Sequence, residues 1–367
     1  MRISYLFNSS LPSSNPGSIQ VANMCSAMTE LSHDVNIIVP KTGLDISISK
    51  FYGLKKTPKI KQINFFKKFP LGINYYLFSI ISIIYAIFIK TDLYITRNYF
   101  TLYLLTLLRK KTIIEIHDDL SSEGRSIQFI FKNFDIFNNR NIIKIVAISK
   151  GVENFLINEL NVNPNKIQIL SSVSDLKFKF KKLVKKKCYN VGYFGSLEKS
   201  KGSQFLVELS KLDKNNNYFI YGGNKLDAKK LYNKYKSSNL KIHQTVEYSK
   251  LSKYISEMDV LVIPSNKFII KSLGGVGNIS KYTSPMKLFD YLASGKIIIT
   301  SDLKVYKEIL TDNKNCIMIK NLNKINWLNT INQIKFNIEK INKIKLNAFN
   351  LSKKYSYKKR AQKLLKL

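Results

Sequence analysis

The sequence contains few of the residues that characterise disulfide-bonded or metal-binding proteins. Its 367 residues include only three cysteines, Cys25, Cys188 and Cys316, which lie far apart and show no metal-ligand spacing. This pattern suits buried thiols in a reducing compartment and argues against a disulfide framework. The opening MRISYLFNSS is typical of a β-strand and loop, so no signal peptide is expected.

Acidic residues are also scarce, with 24 Asp and Glu against 60 Lys and Arg, which gives a formal net charge of +36. Three explanations compete: nucleic-acid binding, attraction to an anionic membrane leaflet, and a general drift towards Lys, Asn and Ile. Lys greatly outnumbers Arg, whereas base and bidentate phosphate recognition favours Arg. No zinc finger, RNA-recognition signature or basic-aromatic repeat is present. Drift and membrane attraction are therefore favoured, and the basic run 177–187 forms a local cluster.

The order of apolar segments predicts two α/β domains. The chain is long enough for two cores, and 45% of its residues are apolar. Strand-like and helix-like segments alternate in both halves, as in doubly wound parallel sheets. We predict domains at 1–178 and 188–350, joined by a basic linker at 179–187. A C-terminal helix at 351–367 is expected to pack back towards the first domain. The expected fold is two Rossmann-like domains that face each other across a cleft.

The apolar run 71–89 is almost long enough to cross a membrane. Asn74, three tyrosines and two serines interrupt it, and the strand-like segment 92–95 follows at once. A buried or membrane-leaning helix is therefore favoured, with a transmembrane span as the alternative.

Residues 284–295, SPMKLFDYLASG, predict a helix with an anion-binding amino end. Pro285 suits a first helical turn, apolar residues recur at helical spacing, and Gly295 suits the end. Free N–H groups, Lys287 and the Asp290 carboxylate one turn later would form a cradle for a diphosphate and a ribose. Asp290 is expected on the side opposite the apolar residues, where it can face a cleft. The alternative is that Asp290 is an ordinary solvated helix residue.

Two positions in the first half are further candidates. Gly17 comes just before a helix-like segment at 19–31, either as a flexible turn residue or as a point of close approach to a phosphate or acceptor. His117 follows a predicted strand at 112–116, where open α/β sheets bind ligands. A lone histidine is often a structural hydrogen-bonder, so both interpretations of His117 stay open.

Seven segments, in order along nearly the whole chain, resemble the retaining GT-B glycosyltransferases of family 4, which transfer sugars from nucleotide donors. The segments are DLYITRN (92–98), IIEIHDD (113–119), IVAISKGVENFL (145–156), VGYFGSLEKSKG (191–202), YISEMDVLVIPS (254–265), SPMKLFDYLASGK (284–296) and SYKKRAQKLL (356–365). The sixth segment is similar to an SPxKLFEY subgroup.

The resemblance implies roles for individual residues. Asp290 matches the acidic residue that binds the donor ribose, while Tyr282 stands where the family has another acidic residue. The segment whose backbone amides meet the diphosphate and sugar is matched by Ser284, Pro285, Met286 and Lys287. Lys201 matches the phosphate-binding lysine. The family's arginine is replaced by Ser196 in the loop that starts at Gly195, so Lys201, Lys287 and the helix end are expected to neutralise the phosphates. His117 matches the catalytic histidine that approaches the transferred sugar, and Gly17 matches the glycine-bearing first loop.

The function that the resemblance implies is transfer of a sugar, with retention of configuration, from a nucleotide sugar. A UDP-sugar is the expected donor, and the acceptor is lipid-linked or a growing glycan in bacterial surface polysaccharide, lipopolysaccharide or glycoprotein glycan synthesis. No cofactor and no metal ion are expected, because lysines and helix N–H groups can stabilise the leaving diphosphate and no Asp-x-Asp motif is nearby. The expected location is cytoplasmic and peripheral, on an anionic membrane surface at the inner face of the plasma membrane. The alternatives are a GT-B sugar-nucleotide epimerase and a charge-driven nucleic-acid-binding protein.

Overall fold

The computed structural model describes residues 1–41, 46–64, 71–271 and 277–366. The chain divides into two compact units, one made of Met1–Ser171 with Tyr357–Leu367 and the other of Ser172–Ser356. The division therefore falls at Ser171 rather than at residue 178. Residues 179–187, predicted as a linker, lie within the second unit, where Leu183 is buried in the core. The Asn342 side chain bonds both the N–H and the carbonyl of Leu183, at 2.6 and 3.0 Å, which fixes this segment to the unit.

The first unit contains a parallel sheet of seven described strands in the order β3-β2-β1-β4-β5-β6-β7. The strands are β1 (Arg2–Leu6), β2 (Asp34–Pro40), β3 (Lys59–Ile63), β4 (Leu93–Thr96), β5 (Thr112–Ile116), β6 (Ile142–Ala147) and β7 (Ile167–Ile169). The helices are α1 (Pro16–Glu30), α2 (Ile48–Tyr52), α3 (Leu71–Phe88), α4 (Tyr99–Leu107), α5 (Arg125–Asn133) and α6 (Lys150–Leu160). A helix from the end of the chain, α13 (Tyr357–Leu365), packs against α1 in the same unit.

The second unit repeats this arrangement with six described strands in the order β10-β9-β8-β11-β12-β13. The strands are β8 (Asn190–Phe194), β9 (Asn217–Tyr221), β10 (Leu240–His243), β11 (Val260–Ile263), β12 (Ile297–Ser301) and β13 (Ile317–Ile319). The helices are α7 (Ser203–Leu212), α8 (Lys225–Lys234), α9 (Leu251–Ser256), α10 (Met286–Ser294), α11 (Lys324–Gln333) and α12 (Ile338–Ser352).

The residue types explain why the central strands form where they do. Every residue of β11 and β12 is buried; β11 is a run of Val, Leu and Ile, and β12 begins with three isoleucines before Thr300 and Ser301. Parallel strands covered on both faces have such continuous apolar sequences, and β-branched side chains favour the extended backbone. Side chains on the two sides of this sheet form separate apolar clusters. The predicted fold class, two Rossmann-like α/β domains, is confirmed.

The strand orders locate the places where each unit can bind ligands. In both sheets the strand order reverses direction at the first strand of the unit, between β1 and β4 and between β8 and β11. Loops that leave neighbouring strands in opposite directions at such a point open a crevice at the carboxyl ends of the strands. The segments after β1, β4 and β5 and those after β8 and β11 are therefore the first places to look for a site.

The apolar run 71–89 forms α3, which ends at Phe88. Phe78, Ile83 and Ala86 on one side of α3 pack into the core beside β1 and β2. Within the described residues, the length and hydropathy that a bilayer crossing requires are not reached by any helix.

Candidate functional site

The amino end of α10 is the first part of the site in the second unit. Pro285 is the N-cap residue of α10, one position earlier than the predicted first turn. The first turn carries no acidic residue. The Leu288 N–H donates to the Pro285 carbonyl at 3.0 Å, so the N–H groups of Met286 and Lys287 are the ones that lack an acceptor inside the helix. These N–H groups and the helix dipole give this end a partial positive charge. Eight of the nine residues of α10 are buried, and Lys287 is the exception.

The Lys287 ammonium lies close to the protein interior without a hydrogen-bond acceptor. Its Nζ is buried and has no hydrogen-bond partner among the residues that the structure describes. It lies 4.0 Å from the centroid of the Tyr193 ring. Burial lowers the pKa of Lys287 to about 7, and the positive charge of Lys201 lowers this pKa further. Burying a hydrogen-bond donor without an acceptor costs free energy. An anion that accepted from Lys287 Nζ would remove this cost.

The loop after β8 meets Lys287. A Cβ atom added at Gly195 would lie only 2.5 Å from Lys287 Nζ, so the loop backbone and the ammonium are in direct contact. Ser196 Oγ is also buried, and it has no hydrogen-bond partner in the described part of the chain. The Tyr193 hydroxyl donates to the Ser196 carbonyl at 2.8 Å, which holds the loop over the Tyr193 ring. Gly195, Ser196 and Lys287, three predicted site residues, are therefore brought together.

Lys201 ends a short 3₁₀ turn in the same loop, Lys199–Lys201. Burial lowers the pKa of Lys201, and the nearby Glu198 carboxylate raises it. Gly202 follows with φ of 94°, and a Cβ there would lie 2.1 Å from the Pro264 carbonyl oxygen. Only glycine fits this position, so the backbone of the turn that carries Lys201 is closely defined. Because the charge of Lys201 also lowers the pKa of Lys287, the two lysines contribute positive charge to one region.

Asp290 differs from the sequence expectation of an open, cleft-facing carboxylate. It is 4% exposed, and the Tyr248 hydroxyl donates to its Oδ1 at 3.2 Å. Burial raises the pKa of Asp290 to about 7, while hydrogen bonds from Ser174 and Tyr248 lower it. The expectation was wrong because a helix that is buried on nearly every side has no solvated face on which a carboxylate could lie. Tyr248 covers this position from a segment 42 residues away in sequence.

Two other predicted residues before α10 have structural contacts. Ser172 occupies both oxygens of Ser284: its N–H donates to Ser284 Oγ at 3.2 Å, and its hydroxyl donates to the Ser284 carbonyl at 2.6 Å. Tyr282 is half-buried in the preceding turn, where its N–H donates to the Ile279 carbonyl at 3.0 Å. The long loop predicted at 265–283 includes 272–276, which lie outside the described residues.

The sequence did not suggest a pocket whose lining includes Glu247 and Lys250, on either side of Tyr248 along the chain. It has a volume of about 340 Å³ and is lined by 243–247, Tyr221, Lys250 and Tyr254. The Tyr221 ring stacks on His243 with centroids 4.9 Å apart and planes 18° from parallel. On its other side Tyr221 stacks on Phe194, at 4.8 Å and 3°. Both faces of the Tyr221 ring are therefore covered, and a flat ring that enters the pocket meets the edge of this rigid aromatic stack.

His117 in the first unit follows β5, as predicted. Its side chain is 31% exposed, and its Nε2 lies 3.7 Å from Glu115 Oε2, too far for a hydrogen bond. Nε2 is buried and has no hydrogen-bond partner among the described residues. Desolvation lowers the pKa of His117 to about 4, and the nearby Arg97 cation adds to this effect. The imidazole is therefore neutral at pH 7.

Glu115 joins two arginines from distant parts of the chain. Its carboxylate is fully buried, and Arg97 Nη2 and Arg360 Nη1 contact it at 2.8 and 2.7 Å. Burial alone would raise the pKa of Glu115, but Arg360 and Arg97 outweigh burial and hold this pKa well below its usual range. Arg360 also donates to the carbonyls of Leu170 and Ser171, so one side chain ties α13 to the segment that follows β7.

Gly17 lies inside the first turn of α1, because the helix begins at Pro16 rather than at residue 19. Pro suits this place since a first-turn N–H has no partner to lose. A Cβ at Gly17 would lie 3.4 Å from Arg97 Nη1 and 3.5 Å from the Phe7 ring. Gly17 and Arg97 are therefore close, and a larger residue would crowd the guanidinium.

Residues 174–351 match the family described as "Glycosyl transferases group 1". The chain is a glycosyltransferase. The matched region begins at Ser174, which bonds Asp290, and it contains Gly195, Ser196, Lys201 and the whole of α10. Among curated proteins no relative was found.

Solved glycosyltransferase structures share the fold over the whole chain. Anabaena Alr3699/HepE in complex with UDP-glucose has a TM-score of 0.70 at 14% identity, with 100% of this chain and 99% of that chain covered. Sucrose-phosphate synthase from Thermosynechococcus elongatus has a TM-score of 0.74 at 13% identity, with 99% and 97% covered. The lipopolysaccharide outer core galactosyltransferase WaaB has a TM-score of 0.67 at 12% identity, with 99% and 98% covered. At 12–14% identity, these similarities show that the fold is shared.

Several residues of the two candidate sites were missed by sequence reasoning. Tyr193 lies under Lys287, Tyr248 contacts Asp290, and Arg97 and Arg360 meet on Glu115. The arginines carried a usable signal, because the chain has only six and two of them fall in segments that resemble the family. Tyr193 and Tyr248 carried none, since tyrosine is common in this chain. Among the described residues no three His, Cys, Asp or Glu are grouped as metal ligands.

Proposed function

We propose that this glycosyltransferase moves a sugar, with retention of configuration, from a UDP-sugar to a lipid-linked or growing glycan acceptor. The observation that carries the proposal is the pair of buried polar atoms without a hydrogen-bond partner, Lys287 Nζ and Ser196 Oγ. They lie at the positive end of a helix and beside a second lysine, so an anion with several oxygen acceptors is the ligand that satisfies them.

The donor's three parts have matching surroundings in the second unit. The diphosphate binds at the first turn of α10, with Lys287, Lys201 and the Gly195-Ser196 backbone around it. Met286 contributes its backbone N–H, whereas Pro285, which has no N–H, sets the start of the helix at this place. The ribose binds at Asp290, in competition with Tyr248 for the carboxylate. The base binds in the pocket walled by Tyr221, which is supported by the adjacency of that pocket to Tyr248 in sequence.

In the proposed reaction the protein positions the substrates and stabilises the negative charge that develops on the leaving group. Cleavage of the donor leaves a nucleoside diphosphate, and its developing negative charge is stabilised by two ammonium groups and the helix N–H groups. Lys287, with a pKa of about 7 in the free protein, becomes fully protonated against the diphosphate. His117 approaches the transferred sugar as a neutral hydrogen-bonding group, the role that the resemblance implies. Gly17 keeps the role of a backbone contact, and Tyr282 and Ser284 that of donor-side residues.

The acceptor and the location are proposed from the resemblance and from the charge of the chain. The resemblance and the similarity to a galactosyltransferase described as acting on the lipopolysaccharide outer core support surface glycan synthesis. The excess of 60 Lys and Arg over 24 Asp and Glu supports a peripheral position on an anionic membrane, on its cytoplasmic side.

The test is a screen of nucleotide sugars by thermal shift, followed by an activity assay with the best ligand. A ligand that binds only the native state raises the unfolding temperature. The proposal expects a shift with a UDP-sugar, and release of UDP that a lipid-linked acceptor accelerates. Conversion of the donor to its epimer without an acceptor would identify an epimerase instead. Retention of RNA or DNA that Lys201→Ala and Asp290→Ala leave unchanged, together with no response to any nucleotide sugar, would identify the nucleic-acid alternative.

A further inference from the structure

The solvent-facing side of α3 is apolar along its whole length. The exposed side chains, with their exposed fractions, are Ile73 (46%), Ile80 (42%), Ile81 (40%), Ile84 (48%), Ile87 (39%) and Phe88 (80%). Their spacing of three and four residues places them on one side of the helix. The opposite side, which includes Phe78, Ser82 and Ala86, is buried against the sheet. A surface helix normally turns polar residues outwards, so a helix with apolar residues on both its buried and its exposed side is unusual.

The end of α4 extends this apolar surface and adds positive charge. Leu107 and Leu108 are 61% and 48% exposed, and Arg109, Lys110 and Lys111 follow directly. α3 packs against α4, and the two helices lead into the neighbouring parallel strands β4 and β5. The carboxyl ends of α3 and α4 therefore lie at the same edge of the sheet. The exposed Lys90 follows α3 there. Residues 71–91 and 99–111 contain no Asp or Glu.

We propose that the exposed side of α3, together with 107–111, is a membrane-docking surface that lies in the plane of an anionic bilayer. At about 1.5 Å per residue, α3 offers an apolar strip of about 27 Å parallel to the surface. Apolar side chains on one side of a helix with cations at its end are the pattern of an interfacial helix. A second copy of this chain is disfavoured as the occupant, because its identical surface offers no acidic side chain to the cations at 109–111. The purpose of docking rests on the proposed function, since a lipid-linked acceptor is reached from the membrane surface. The docking itself is argued from the exposed side of α3 and from 107–111 alone.

The surface makes two separable contributions to binding. Isoleucine side chains inserted below the headgroups lose contact with water, and salt does not weaken this contribution. The basic ends attract anionic headgroups, and salt screens this contribution within a Debye length of about 8 Å at physiological ionic strength.

The experiment is vesicle flotation of the full-length protein. Phosphatidylcholine vesicles with and without phosphatidylglycerol are compared at low and high salt. The expected result is binding to the anionic vesicles that salt weakens but does not abolish. Ile80→Ser with Ile84→Ser should reduce binding at least tenfold at both salt concentrations. Replacement of Arg109, Lys110 and Lys111 by Gln should remove the salt-sensitive part alone.

The matched control carries Leu226→Ser and Ile325→Ser, which remove two apolar side chains from the second unit that are more exposed, at 68% and 65%, than Ile80 and Ile84. This control should bind vesicles as the wild type does, and circular dichroism should show all variants folded. An Ile84→Trp variant gives a second measurement, because its emission should shift to the blue with anionic vesicles while the buried Trp327 gives a constant background.

Three outcomes would overturn the proposal. They are equal binding by the α3 variant and the control, no vesicle binding by the wild type, and a wild-type dimer that the α3 substitutions dissociate without any effect on vesicles. Lys287→Met separates this proposal from the proposed function, because it should weaken UDP binding and leave flotation unchanged.

Discussion

Lys287 Nζ lies 4.0 Å above the ring of Tyr193, whose hydroxyl bonds the backbone of Ser196. One aromatic side chain thus supports both the ammonium and the loop that faces it. A cation over a tyrosine ring is stabilised by about 0.5–2 kcal/mol, less than an ion pair with an anionic acceptor provides in a desolvated place. The Tyr193 ring therefore positions Lys287 without supplying an anionic partner. This is the arrangement expected of a lysine that binds an anionic ligand.

The contact between Gly195 and Lys287 predicts the effect of adding one carbon atom. Gly195→Ala places a Cβ 2.5 Å from Lys287 Nζ, and the flexible end of the lysine has to move away. We expect UDP affinity to fall about tenfold, a loss of about 1.4 kcal/mol, with the fold intact. Gly72→Ala is the control, because a Cβ there meets nothing within 4 Å. Titration calorimetry compares the two, and equal affinities would refute the contact's role.

Donor binding should depend on pH through Lys287. Its pKa of about 7 means that binding a diphosphate above pH 7 requires proton uptake. The affinity for UDP-glucose should therefore fall, by up to about tenfold per pH unit, as the pH rises from 7 towards 9. Lys287→Arg should lack this dependence, because arginine stays charged. Calorimetry in two buffers with different ionisation enthalpies measures the proton uptake directly.

Asp290 titrates in the same range with the opposite sign. Its pKa is about 7, and a ribose hydroxyl that donates to the carboxylate favours the ionised form, so this contribution to affinity grows as the pH rises. The slope of UDP-glucose affinity against pH that Lys287 causes is therefore measured in an Asp290→Asn background, which lacks the Asp290 contribution. A slope of zero there would show that Lys287 does not meet the diphosphate.

The proposed division of the donor between Asp290 and α10 predicts a ligand-dependent effect. Asp290→Asn removes a charged acceptor of the ribose hydroxyls, a contact worth about 1.5–3 kcal/mol. UDP should bind at least about tenfold more weakly, whereas inorganic pyrophosphate, which has no ribose, should bind as to the wild type. Competition between each ligand and a labelled UDP would measure both. An equal loss for UDP and pyrophosphate would place Asp290 with the phosphates instead.

The buried Glu115 predicts a large effect on stability. Glu115→Gln leaves Arg97 and Arg360 without a counter-charge, which should cost about 3–5 kcal/mol of unfolding free energy. The control Asp92→Asn removes the exposed ion pair with Arg2, worth about 0–1 kcal/mol. Urea unfolding at pH 7 compares the two, and equal midpoints would refute the account.

The pH dependence of this difference has a defined sign. The pKa of Glu115 is depressed in the folded state, so its contribution is complete above the pKa of the unfolded chain and is lost progressively as the pH falls from there through the folded pKa. The gap between wild type and Glu115→Gln should therefore narrow in acid.

Local patterns predicted the elements of the site better than its contacts. Helix α10 and strand β12 followed from helical spacing, a terminal glycine and a β-branched run, all of which are short-range signals. The contact between Glu115 and Arg360 spans 245 residues, and no period or spacing in the sequence connects them. The burial of Asp290 depends on Tyr248 in the same way. Amphipathic spacing placed Asp290 away from Leu288 and Leu292, but it could not show that a third element covers that side.

The exposed side of α3 is a second feature that the sequence predicted only in part. The run 71–89 was recognised as apolar from the sequence, and its interruptions argued against a span. Which isoleucines face outwards depends on how α3 packs on its sheet, with Phe78 and Ile83 turned inwards.

The most direct test of the account is calorimetric titration of the full chain with UDP, for the wild type, Lys287→Met and the control Lys253→Met, which changes an exposed lysine of α9. The account predicts a single saturable site whose affinity falls at least about thirtyfold in Lys287→Met, from a loss of about 2 kcal/mol. Lys253→Met should match the wild type. Equal binding by Lys287→Met and the wild type, or no UDP binding at all, would contradict the claim that Lys287 and its loop receive the donor's diphosphate.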